Sequence, residues 1–228
     1  MPYFIDYWYI ILVVPAIIFS LVASAGVNSA FKKYSKVASR MGLTGAESAR
    51  RVLEANGVNG VKIEPVSGNL TDHFDPKTNT IRLSESVYSA NTVAAVGVAA
   101  HEAGHAVQYA VGYSPMKLRA AIIPVTTIGA KISWPLILIG LLLSSYALAM
   151  LGVIAFGFST LFQLVTLFVE FDASNRAVNA VEGMCASAEE VNGTKKVLRA
   201  AALTYVAALA VSLANLLRLF LMVSRRRD

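Results

Sequence analysis

Three side chains near the middle of the chain have the types and spacing for metal-assisted hydrolysis: His101, Glu102 and His105, in the run His101-Glu102-Ala103-Gly104-His105. The run lies in an apolar, helix-forming stretch, residues 93–111. Helical residues four apart share a face, so both imidazoles project the same way. Two imidazole nitrogens so placed can bind one Zn²⁺, and Glu102 can reach a water in an open coordination position. The pattern is H-E-x-x-H, the signature of zinc-dependent peptidases. Such a trio could also be the solvated side of an amphipathic helix, but Gly97-Val98-Ala99-Ala100 before it and Ala106-Val107 after it argue otherwise. Polar groups buried without partners cost roughly 2–7 kcal/mol on transfer scales, and a bound metal would satisfy them.

The elements that must position these groups belong to a membrane protein. The chain has 228 residues, of which 56% are hydrophobic, and its mean hydropathy of +0.58 is too high for a soluble domain of that length. The net charge is +6, yet only 15% of residues are charged. The basic side chains flank apolar runs, which fits the lipid bilayer as partner and not nucleic acid. Cys185 is the single cysteine, so no intrachain disulfide framework exists, and it reads as a small buried hydrophobe.

Residues 3–25 are apolar except for Asp6, open with the aromatics Tyr3, Phe4, Tyr7, Trp8 and Tyr9, and are long enough to span ~30 Å of hydrocarbon. Ala23-Ser24-Ala25 resembles a signal-peptidase site, but no Lys or Arg precedes residue 32, so the segment reads as a retained anchor. Lys32, Lys33, Lys36 and Arg40 follow it as a cytoplasmic flank. Residues 44–56 read as a short helix capped by Thr44 and Glu47 and ended by Gly57. Residues 61–66 and 80–84 alternate apolar and polar residues and predict two strands around a loop, with turn chemistry at residues 75–79. The second strand could be a sheet edge that pairs with an extended substrate, or one arm of a packing hairpin. Within the loop, His73 stands between Asp72 and Asp75; it could bind metal, stabilise charge on a reacting carbonyl, or simply lie on a turn. Asn91 is the expected cap of the motif helix, and Gly112 and Pro115 end it.

Residues 120–169 are apolar, interrupted by Lys131 and by Ser144-Ser145, with Pro124 and Pro135 as candidate kinks. They predict a membrane hairpin of two helices turning near Ser144. Lys131 would face protein or water, snorkel, or mark a span's end. The hairpin returns the chain to the face it left, so Glu170 at its end can be a third ligand, completing a His₂Glu site with an open fourth position. Residues 171–199 read as polar helix with a turn at Asn192-Gly193. Residues 200–223 are apolar except for Arg218 and precede Arg225-Arg226-Arg227; they could be a fourth span or an interfacial helix. Fifteen of the twenty Lys and Arg fall on the side of the histidines, nine of them in residues 32–82. The positive-inside rule therefore places the site in the cytoplasm, although the basic tail, if the last segment spans, disagrees.

Taken together, HEAGHAVQ at 101–108, TDHFDP and TIRLS upstream, the apolar hairpin and EFDASNRA at 170–177 resemble the YugP-like family of membrane zinc metallopeptidases, over nearly the whole chain. The resemblance implies one zinc per chain held by His101, His105 and Glu170, with Glu102 as catalytic carboxylate. The plan is more distantly similar to HtpX-like membrane proteases, whose segment reads Glu-x-x-x-Asp. Here Ser174 stands at the last position, so a carboxylate orienting a ligand histidine would be Asp172, lie elsewhere or be absent. Asn175 is a further neighbour that could support the site.

The expected protein is thus a mainly α membrane protein. A zincin-like metallopeptidase domain with a small β-sheet is combined with three or four transmembrane helices. Its parts are an anchor (1–27), a first peptidase part (28–118), the hairpin (119–169), a second part with the third ligand (170–199), and a C-terminal helix with basic tail (200–228). The expected activity is hydrolysis of membrane or membrane-proximal polypeptides at the cell membrane, with membrane protein partners or a second copy as further associates. The other classes weighed are an assembly scaffold with a structural zinc, for which His73 would be a fourth ligand, and a metal transporter, which the apolar spans disfavour.

Overall fold

The structure, a computed structural model, describes residues 6–184 and 186–225; the expectations for Tyr3, Phe4, Cys185, Arg226 and Arg227 lie outside them. The chain is mostly helical. A π-helical turn, Tyr9–Val13, leads into α1 (Val14–Tyr34). Then follow α2 (Gly45–Ala55), β1 (Lys62–Val66), β2 (His73–Asp75), β3 (Thr80–Ser84), α3 (Glu85–Tyr88) and α4 (Val93–Ala110). Three long helices complete it: α5 (Ser114–Leu142), α6 (Tyr146–Gly183) and α7 (Ala188–Ser224). Four helical segments, Tyr9–Tyr34, Ser114–Leu142, Tyr146–Gly183 and Ala188–Ser224, are long and apolar enough to cross a bilayer.

Two compact units are built from discontinuous segments. One comprises Met1–Ala23, Lys117–Leu167 and Thr204–Asp228, the other Ser24–Met116 and Phe168–Leu203. In the first unit, Ile137, Ala149, Val153, Leu219 and Val223 form a core. Gly140 and Gly152 let α5 and α6 approach so closely that a Cβ on Gly152 would meet Ser133 O at 2.8 Å. Small residues at such crossings are how helices pack where apolar side chains gain little by leaving lipid. Ser144, at φ +52°, forms the turn between α5 and α6. Asp6 and Arg218, the polar exceptions of two otherwise apolar segments, meet: Arg218 Nη2 lies 3.0 Å from Asp6 Oδ2. Pairing is what makes such charges tolerable in an apolar setting.

The second unit is organised around α4, which is buried on nearly every face. Its alanines, with Val96 and Val107, pack on Ala49, Val52 and Leu53 of α2 and on Ala177 and Val181 of α6. Thr44 and Glu47 form the capping box of α2 as the sequence predicts. Glu190 clamps the segment after α1 to the start of α7: it accepts hydrogen bonds from Ser39 Oγ and Arg40 N, each at 2.8 Å, and from Ser187 N at 2.9 Å.

The sheet differs from the expected pair of strands. Its order is β1-β3-β2, with β1 parallel and β2 antiparallel to β3. β3 is therefore central, with both edges taken, and cannot pair with a substrate. Residues 73–75, read as loop, are the third strand. The turn chemistry at 75–79 is real but joins β2 to β3; hydrogen bonds from the Thr78 hydroxyl, the Lys77 amide and Arg82 hold Asp75 at a pKa of about 2. Asp72 accepts the Ser84 amide at 2.7 Å and the Ser84 hydroxyl, and burial pushes its carboxyl above the usual range.

Three local expectations also change. Thr92, not Asn91, caps α4, its hydroxyl accepting from Ala95 N. Asn192-Gly193 is not a turn but lies inside α7, where Gly193 serves close packing: a Cβ there would sit 2.8 Å from Val93 and 2.9 Å from Tyr34. The polar segment 171–199 is consequently divided: residues 171–183 continue α6, and residues 188–199 form one helix with residues 200–223. Lys131 is exposed on α5, so it does not face protein.

At Gly104 α4 comes close to α6, since a Cβ there would lie 2.9 Å from Ala173 O. Both neighbours are helix backbone and cannot step aside. Gly104→Ala is expected to lower stability by about 1–3 kcal/mol, read as thermal unfolding of the full chain in detergent. Gly26→Ala, where nothing lies within 4 Å, should leave unfolding unchanged or delay it slightly.

Candidate metal centre

His101 and His105 stand one turn apart on α4, with ring centroids 4.7 Å apart and planes at 79°. Glu170 comes from α6, directly after the fully buried Val169. Its Oε2 lies 3.3 Å from His101 Nε2 and 3.6 Å from His105 Nε2. All three residues offer a ligand atom within 4.8 Å of the others, and no further donor joins them among the described residues. The Glu170 side chain is 5% exposed and those of His101 and His105 are 13% and 11% exposed. The cluster is therefore enclosed, but its histidine side still reaches the surface.

Both imidazoles are oriented from behind. Gln108 Nε2 donates to Val169 O and to Asp172 Oδ2, each at 2.8 Å, which turns its Oε1 toward His105 Nδ1 at 3.0 Å. The oxygen can only accept, so Nδ1 carries the proton and the Nε2 lone pair faces the cluster. Asp172 is in turn held by Arg176 Nε at 2.6 Å. On the other ring, Ser174 Oγ lies 3.3 Å from His101 Nδ1. Outer partners of this kind fix the tautomer and direction of a metal-binding histidine.

The local electrostatics suit a cation. Burial works against charge on His105, but the adjacent Glu170 carboxylate and the negative charge of Glu102 outweigh it and hold the imidazole above its ordinary pKa. A site that raises the proton affinity of a histidine in this way attracts a metal ion for the same reason. Two neutral nitrogens and one carboxylate are the donor set of His₂Glu zinc sites, so the residues present fit zinc. Glu102 is 8% exposed and makes no hydrogen bond or ion pair among the described residues. Its carboxylate is left available to an incoming molecule.

Not every candidate reaches this cluster. Asp172 acts on it through Gln108, and Ser174 touches it directly. Asn175 is exposed on another face of α6 and lines a groove toward α7. His73 is exposed on β2, its Nδ1 2.8 Å from Thr71 O, and takes no part. Gln108 is the member that sequence reasoning passed over. Its sequence signal is only an amide three residues after His105 in an apolar helix; its burial and its partners appear in the structure alone.

The family profile described as "Putative neutral zinc metallopeptidase" matches residues 9–224. The protein named "Putative membrane protease YugP" from Bacillus subtilis (strain 168) is 47% identical over 222 residues, which cover 96% of this chain and 98% of that relative. No solved structure matches the chain. A profile and a relative that each take in almost the whole sequence, the clustered donors included, show that the chain belongs to the YugP-like family of membrane zinc metallopeptidases.

Proposed function

We propose that the protein is a membrane-bound, zinc-dependent endopeptidase, and that His101, His105 and Glu170 hold the metal. The observation that carries this is the convergence of three donors, from helices distant in sequence, beside a Glu102 that makes no hydrogen bond or ion pair among the described residues. Three protein donors leave room for water, whereas a structural site closes all four positions. Bound zinc supplies a Lewis acid that polarises the scissile carbonyl and lowers the pKa of water toward ~7. Glu102 takes the proton from the attacking water and returns it to the leaving amine. Gln108 and Ser174 keep the two Nε2 atoms aimed inward throughout.

Substrates are polypeptides in or beside the membrane, because the helix that delivers Glu170 continues without a break from an apolar span. An extended peptide would find a free sheet edge on β2, whose Phe74 ring lies 5.9 Å from that of Tyr109 on the motif helix. The unit holding the cluster carries nine Lys and Arg in residues 32–82 and four more in residues 176–199. This supports a cytoplasmic site in the cell membrane.

Zinc measured on the purified full chain should be one per chain for wild type and for Glu102→Gln, and near zero for His101→Ala. Wild type should cleave an unfolded protein such as casein, and Glu102→Gln should lose at least ~100-fold of that rate. Equal cleavage by Glu102→Gln rejects the assigned role. Gln108→Leu, which removes the amide that orients His105, should weaken zinc binding by roughly 10–100-fold in competition with a chelator.

A further inference from the structure

A second feature of the same unit lies away from the donor atoms. Between α6 and α7 a groove of about 280 Å³ is lined by Phe171, Ser174, Leu198 and Ala202, with Lys195 and Arg199 among its walls. The two cations stand one turn apart on α7. Neither has a carboxylate within ion-pair distance among the described residues. Two neighbouring cations repel each other, so an anion between them lowers the energy of the groove.

Sequence position narrows the anion. Arg199 immediately precedes the apolar run 200–217 of α7, and Phe171 lies two residues after Val169, where the apolar run of α6 ends. Both helices are among those able to span a bilayer. The cations therefore sit where two candidate spans give way to polar sequence, the level of lipid headgroups. The exposed Phe171 and the half-buried Ala202 can contact glycerol and acyl carbons, which an inorganic ion lacks.

We propose that this groove binds an anionic phospholipid, its headgroup phosphate held by Lys195 and Arg199. Ser174 belongs both to the groove and to the set of residues touching His101. A lipid seated there lies one side chain from the metal centre. Binding itself requires neither zinc nor peptidase activity.

The test uses the full chain in detergent, titrated with short-chain phosphatidylglycerol, phosphatidylcholine or inorganic phosphate and followed by native mass spectrometry. Phosphatidylglycerol should bind in preference to phosphatidylcholine. Lys195→Gln with Arg199→Gln should weaken it about 20–30-fold, from ~1 kcal/mol per basic side chain. Arg50→Gln with Arg51→Gln, an equal loss of charge at exposed positions of α2, should leave it unchanged. If the first pair lowers the unfolding temperature, the charge-preserving pair Lys195→Arg and Arg199→Lys should still bind. Equal affinity for the two lipids, equal losses in both charge-removing pairs, or full competition by millimolar phosphate would each overturn the proposal.

Discussion

A carboxylate wedged between two imidazoles in a nearly dry setting is the constraint from which the rest of this structure follows. Glu170 meets His101 and His105 at 3.3 and 3.6 Å, and a charge taken that far from water must be compensated by groups held in place. Holding them requires α4 and α6 to lie almost in backbone contact. Gly104, between the two histidines, permits that approach, and Ala173 and Ala177 supply the matching small surface on α6. The glycine of the motif is thus a packing device. Its neighbours in sequence supply the chemistry, and it brings their distant partner within reach.

The polar groups behind the cluster form a connected chain. His105 leans on Gln108, Gln108 on Asp172 and on the Val169 carbonyl, and Asp172 on Arg176. A fully buried amide with both ends bonded can take only one orientation, so it fixes a ring. His101 is held differently, by the Ser174 hydroxyl. The same economy of polar groups operates among the apolar helices, where Asp6 and Arg218 serve each other.

Much of this was legible in the sequence, because it was written as composition and short-range spacing. The H-E-x-x-H pattern depends only on helical periodicity, the membrane helices only on length and apolarity, and the cap of α2 only on Thr44 and Glu47. The meeting of Glu170 with the histidines could also be reasoned, since two antiparallel apolar helices return a chain to its starting face. What could not be read depended on pairings that local pattern does not encode. The order β1-β3-β2 put the expected edge strand in the middle. Gly193 looked like a turn because close approach to Tyr34 and Val93 leaves no mark in the residues beside it. Gln108 was visible as a residue but not as a partner, because its role depends on Asp172, which lies on another helix.

The central claim is that two histidines and one glutamate form a single metal site with a position left for water. X-ray absorption at the zinc edge, on the purified full chain loaded with one equivalent of zinc, tests it most directly. The account predicts two imidazole nitrogens at ~2.0–2.1 Å, carboxylate oxygen, and one light ligand that is exchanged by a hydroxamate. A shell filled by four protein ligands, or a spectrum unchanged by Glu170→Ala in protein that remains folded, would contradict it.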